Sequence, residues 1–84
     1  MNLEELRKQI DEIDQKMMSL FKDRMLVSQK IGEFKKTNKL PILDMNREQD
    51  ILNQRKAELD NDHLWPFYES FIKEIMKLSK EYQK

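Results

Sequence analysis

The sequence predicts an all-α protein of three helices, long, short and medium in chain order. Three observations predict it. One glycine and two prolines in 84 residues leave few places to turn. Lys, Glu, Leu, Met and Gln are abundant, and all favour helix. Apolar residues also recur in alternating steps of three and four along Leu3, Leu6, Ile10, Ile13, Met17, Leu20, Arg24, Val27, Ile31 and Phe34. Nine of these ten positions are apolar, which is the seam of one long amphipathic helix.

The first helix is expected from about Asn2 to about Thr37. Glu4 and Glu5 suit its positive N-terminal end, and Lys35 and Lys36 its C-terminal end. It would span roughly 50 Å at 1.5 Å per residue. A compact domain of this length has a radius of gyration of only about 12 Å. The rest of the chain cannot cover such a seam, so a homodimer with paired first helices is expected. Gly32 inside the helix costs about 1 kcal/mol relative to alanine, which points to close helix packing.

Pro41 disfavours helix at Leu40 and ends the first segment. Asp44 or Asn46 caps a second helix from about Met45 to about Glu58, with Ile51, Leu52 and Leu59 on its apolar side. Asp60-Asn61-Asp62 is a turn. Asp62 caps a third helix, from about His63 to about Gln83, with Pro66 in its first turn. Its apolar stripe is Tyr68, Phe71, Ile72, Ile75, Met76, Leu78 and Tyr82. One domain over residues 1–84 accounts for the pattern.

Composition narrows the function. Sixteen basic residues balance sixteen acidic ones, which argues against general nucleic-acid or membrane binding. The chain has no cysteine and one histidine, His63, so thiolate and histidine metal sites are not expected. No apolar run approaches the ~20 residues of a membrane span. The acidic start, MNLEELRKQIDE, lacks the apolar stretch of a signal peptide. A cytoplasmic protein is expected.

Polar residues on apolar faces mark the candidate site. Arg24 interrupts the seam, and an arginine cannot shed its charge, so burial demands an anionic partner. A protein carboxylate and a bound anion both qualify. Lys35 follows Arg24 by eleven residues, about three turns, on nearly the same face, with Ser28 between them. Asp44, Arg47 and Glu48 cluster at the start of the second helix, where a helix N-terminus by itself also accounts for Asp44 and Glu48. Ser79 and Gln83, four apart, share one face of the third helix. Arg7 lies about 100° around the first helix from Arg24. It is either a plain exposed arginine or one offered to a partner's site across an antiparallel dimer.

In this order, these residues resemble the all-helical class of chorismate mutase. Leu6-Arg7-Lys8-Gln9-Ile10-Asp11-Glu12-Ile13-Asp14 resembles that family's opening signature. Arg24, Gly32 with Lys35, Pro41-Ile42-Leu43-Asp44-Met45-Asn46-Arg47-Glu48, and Leu78-Ser79-Lys80-Glu81-Tyr82-Gln83 follow at similar intervals. The resemblance covers essentially the whole chain. It implies an intertwined homodimer with two sites, each taking one arginine from the other subunit, and rearrangement of chorismate to prephenate in phenylalanine and tyrosine synthesis. It also implies a reaction without cofactor or metal.

By the same resemblance, Arg24 and the partner's Arg7 clamp the substrate carboxylates, with Ser79 and Arg47 assisting. Lys35 and Gln83 donate to the ether oxygen. Glu48, with the backbone near Asp44, binds the ring hydroxyl as an ionised acceptor. Nothing resembling a dehydratase, dehydrogenase or regulatory domain follows, so a stand-alone, monofunctional enzyme is expected. Two alternatives are an isochorismate-pyruvate lyase and a non-catalytic helical dimerisation or regulatory module. His63, Trp65 and the methionines read as loop polarity, a helix-entry anchor and core filling.

Overall fold

A computed structural model describes residues 2–83. Met1 and Lys84, the ends of the expected domain, lie outside the described residues. Three helices form: α1 (Leu3–Thr37), α2 (Met45–Leu59) and α3 (Trp65–Gln83). Among the described residues none is long and apolar enough to cross a membrane.

Local signals set the helix ends. Asn2 caps α1 by accepting from the Glu5 amide at 2.9 Å, and the Glu5 carboxylate reaches back to the Asn2 amide at 3.4 Å. This reciprocal pair satisfies two orphan donors. At the other end, Lys39 takes a left-handed conformation with φ 56°. Its amide donates to the Lys36 carbonyl at 3.3 Å, and the Leu40 amide donates to the Lys35 carbonyl at 2.8 Å. This is a Schellman stop built without the usual glycine. Asp44 caps α2 through the Arg47 amide at 3.0 Å, and Asp60 (φ 47°) closes α2 in the left-handed region.

The third helix differs from its expected start. Asn61, not Asp62, accepts from the Leu64 amide, at 3.0 Å, and the helix begins at Trp65. A tight turn over residues 62–64 fills the interval. Asn61 wins because the left-handed Asp60 just before it turns the chain, leaving Asn61 as the first side chain facing the new helix's free amides.

α3 is the central element. It packs on both α1 and α2, whereas α1 and α2 make no close backbone approach. Ile72 and Met76 of α3 are its buried apolar residues, joined by buried Ser79 and, from α1, by buried Ser28 and Gly32. The close approach rests on Gly32. A Cβ there would lie 2.8 Å from the Gln83 carbonyl oxygen and 2.9 Å from Gln83 Cα. The expectation of close packing at this glycine holds, with α3 of the same chain as the neighbour.

The single chain does not cover α1. Ile10 is 56% exposed, Leu20 65% and Phe34 63%. The radius of gyration is 15.9 Å and the extents are 54 × 26 × 16 Å, against about 12 Å for a compact chain of this length. The accessible surface is 7291 Å², whereas a folded monomer of this mass exposes about 5400 Å².

Candidate active site

A cleft of about 1020 Å³ opens between α1 and α2, with α3 as its floor. Seven of the eight residues singled out from the sequence line it: Arg24, Lys35, Asp44, Arg47, Glu48, Ser79 and Gln83. All three helices contribute. The eighth, Arg7, stays on the exposed N-terminal part of α1, outside the cleft.

The polar residues are joined by a hydrogen-bond chain across the α1–α3 contact. Arg24 donates through Nη1 to the Ser79 hydroxyl. The Ser28 hydroxyl donates to the Ser79 carbonyl at 3.2 Å and accepts from Gln83 Nε2 at 3.2 Å. Ser28 is small enough to let α3 approach and polar enough to occupy a buried carbonyl. Gln83 Oε1 is buried without a hydrogen-bond partner in the cleft wall.

Lys35 ties the turn after α1 to the cleft. Its Nζ donates to the Ile42 carbonyl at 2.9 Å, while its own backbone carbonyl receives the Leu40 amide. Two ammonium protons remain. The cap that begins α2 is thereby held near Lys35, with Arg47 and Glu48 in the first turn beyond.

Arg24 has no carboxylate partner among the described residues. It also remains exposed, because nothing among the described residues closes the seam over it. Partial desolvation, then the neighbouring positive charge of Arg55, lowers its pKa, with Tyr68 acting in the opposite direction. The guanidinium stays protonated at neutral pH. Of the two partners open to it from sequence, a protein carboxylate is not found among the described residues. Arg24 and Arg55 both line the cleft, and Arg55 is paired with Glu58, which leaves the Arg24 charge open to an anion.

Two cations of the cleft are not among the residues marked from the sequence. Arg55 continues the Ile51, Leu52 and Leu59 side of α2 and bonds Glu58 at 2.8 Å. The signal that exposed Arg24, a cation on an apolar stripe, was available for it too. Lys80 pairs with Glu48 at 2.8 Å. Its neighbour Ser79 drew attention as a polar residue on an apolar face, whereas a lysine beside it reads as ordinary helix surface.

The cleft of this helical domain has the size of a small-molecule site, and five cations against three carboxylates line it. The family model for chorismate mutase type II matches residues 6–84, and the chain belongs to that family of isomerases. It is 40% identical over 52 residues to the bifunctional chorismate mutase/prephenate dehydratase of Aquifex aeolicus (strain VF5). That match covers 62% of this chain and 14% of the relative, so the chain spans only a small part of the relative's length. A conserved hypothetical protein from Pyrococcus furiosus has a similar solved structure, with TM-score 0.75 and 38% identity over 98% of this chain and 95% of that one. These likenesses lend nothing to the lyase or interaction-module alternatives.

Proposed function

We propose that this chain is a chorismate mutase, rearranging chorismate to prephenate in a homodimer. The carrying observation is Arg24, a cation in a polar network that contains no carboxylate to neutralise it. Chorismate is a dianion. Its [3,3]-sigmatropic rearrangement breaks a C–O bond and forms a C–C bond within one molecule, so positioning and charge stabilisation are what a protein can supply.

Arg24 and Arg47 bind the carboxylates, since guanidinium matches carboxylate bidentately. Ser79, already bonded to Arg24, orients that guanidinium. Lys35 and Gln83 donate to the ether oxygen as it gains negative charge. Each has a proton left after its protein bond, Lys35 to Ile42 and Gln83 to Ser28. Glu48 and the backbone at Asp44 take the ring hydroxyl. A folded active site holds the reactive conformer, which is worth several orders of magnitude in rate.

The exposed surface supports the dimer. The chain exposes about 1900 Å² more than a compact monomer of its mass, or about 3800 Å² for two chains. That falls in the range buried by obligate dimers. The cleft also continues along α1 past Met17 to Asp14, beyond the polar cluster. A partner's α1 laid there covers the apolar seam and brings its Arg7 to the carboxylates.

The test is product identification. Purified protein is mixed with chorismate in buffer containing a chelator, beside Lys35→Ala checked for helicity. Prephenate from the wild type and a loss of at least ~1000-fold in the variant are expected, since a charged donor to a developing oxyanion is removed. A folded wild type that leaves chorismate unchanged overturns the reading.

A further inference from the structure

We propose that Lys80 is a positioning residue for Glu48, an inference that rests on the chorismate mutase reading. Lys80 Nζ lies 2.8 Å from Glu48 Oε1, and the two side chains are 31% and 26% exposed. The pair joins α3 to the first turn of α2. It lines the cleft on one side and, on the other, a smaller outer cavity of about 310 Å³ with Met45, Leu52 and Lys73. It therefore stands as a partition between the two.

The cleft explains why Glu48 needs such a partner. Lys35, Arg47 and Arg24 line the same space. A carboxylate on a flexible stem, left to itself among them, bonds to a cleft cation. That would remove the acceptor meant for the ring hydroxyl and neutralise a cation meant for the substrate. Lys80 prevents both by holding Oε1 from the α3 side, which leaves Oε2 to accept. The pair is neutral, so the excess positive charge of the cleft stays on the residues that face the dianion.

Stability is a poor account of the pair. Partly exposed ion pairs contribute little to folding, and α2 already packs on α3. The effect belongs to catalysis, and it is specific to one substrate group. Removing Lys80 harms turnover only where there is a hydroxyl for Glu48 to hold.

The experiment compares steady-state kinetics on chorismate and on its analogue with hydrogen in place of the ring hydroxyl. The proteins are wild type, Lys80→Met, Lys80→Arg and Glu48→Gln, each checked for helicity and melting temperature. On chorismate, Lys80→Met loses ~10- to 100-fold in kcat/KM, the scale of a misplaced contact group, and Lys80→Arg restores most of it. On the analogue, Lys80→Met and wild type turn over alike, and Glu48→Gln follows Lys80→Met. Equal losses on both substrates, or no loss on chorismate, overturn the Lys80 inference while leaving the mutase reading intact. A folded wild type inactive on chorismate overturns the two together.

Discussion

Arg24 carries two burdens that separate experimentally. As a structural element it is a partly desolvated cation whose neighbour Arg55 is also cationic. In the proposed reaction it is the guanidinium, bonded to Ser79, that takes a substrate carboxylate. Arg24→Leu removes both at once. Replacing a desolvated charge by an apolar side chain is often neutral or stabilising, so the melting temperature is expected to hold or rise. Turnover of chorismate is expected to fall at least ~100-fold, because the substrate carboxylate loses a charge-assisted bidentate partner. Thermal melts beside initial rates on the same preparation check this. A joint fall in stability and activity would assign Arg24 to the scaffold.

The helices position these residues, and two sites show how tightly. Gly32 permits α3 to bring Gln83 against α1 one turn before Lys35. Gly32→Ala gains about 1 kcal/mol of helix propensity. It also drives a methyl into the backbone of Gln83, an overpacking that costs about 1–3 kcal/mol. The net expectation is a lower melting temperature and reduced kcat, since Gln83 moves with the strand of backbone that is pushed away. Urea titration and rate measurement decide it. Lys39 offers the opposite case. It holds a left-handed conformation at the end of α1 that a side chain adopts at a cost. Lys39→Gly keeps the Schellman bonds and relieves that cost, so a gain of about 0.5–1 kcal/mol is expected with activity unchanged. Denaturant midpoints at unchanged slope would show it.

The whole molecule is elongated, and its longest helix is poorly covered by its own chain. The dimer reading makes a prediction that no monomer can satisfy. Arg7→Ala and Lys35→Ala are each expected to be inactive as pure proteins. Unfolded together and refolded at equal concentration, they should recover about a quarter of wild-type activity. Half of the random dimers are mixed, and each has one site with both residues intact. Activity assays on the mixture, with sedimentation to establish the dimer, give the answer. No recovery from two inactive variants would place Arg7 in its own chain's site, and full activity of Arg7→Ala alone would return Arg7 to the exposed surface it occupies in the single chain.

The sequence by itself determined the helix inventory and most of the cleft. Alternating steps of three and four, a proline after Leu40 and a capping Asp44 are local features, and local hydrogen bonding and sterics obey them wherever the chain lies. Polar residues on apolar stripes were visible for the same reason, because helical periodicity converts spacing into a shared face. Only the tertiary structure decided how the three faces meet. It put Gln83 against Gly32, closed the Ser28–Ser79–Gln83 chain, and paired Glu48 with Lys80 across two helices. It also set Arg55 in the same cleft as Arg24. These depend on the relative placement of residues far apart in the chain. Periodicity along one helix carries no information about the rotation of its neighbour, and a lysine beside a stripe looks the same whether it meets water or a carboxylate.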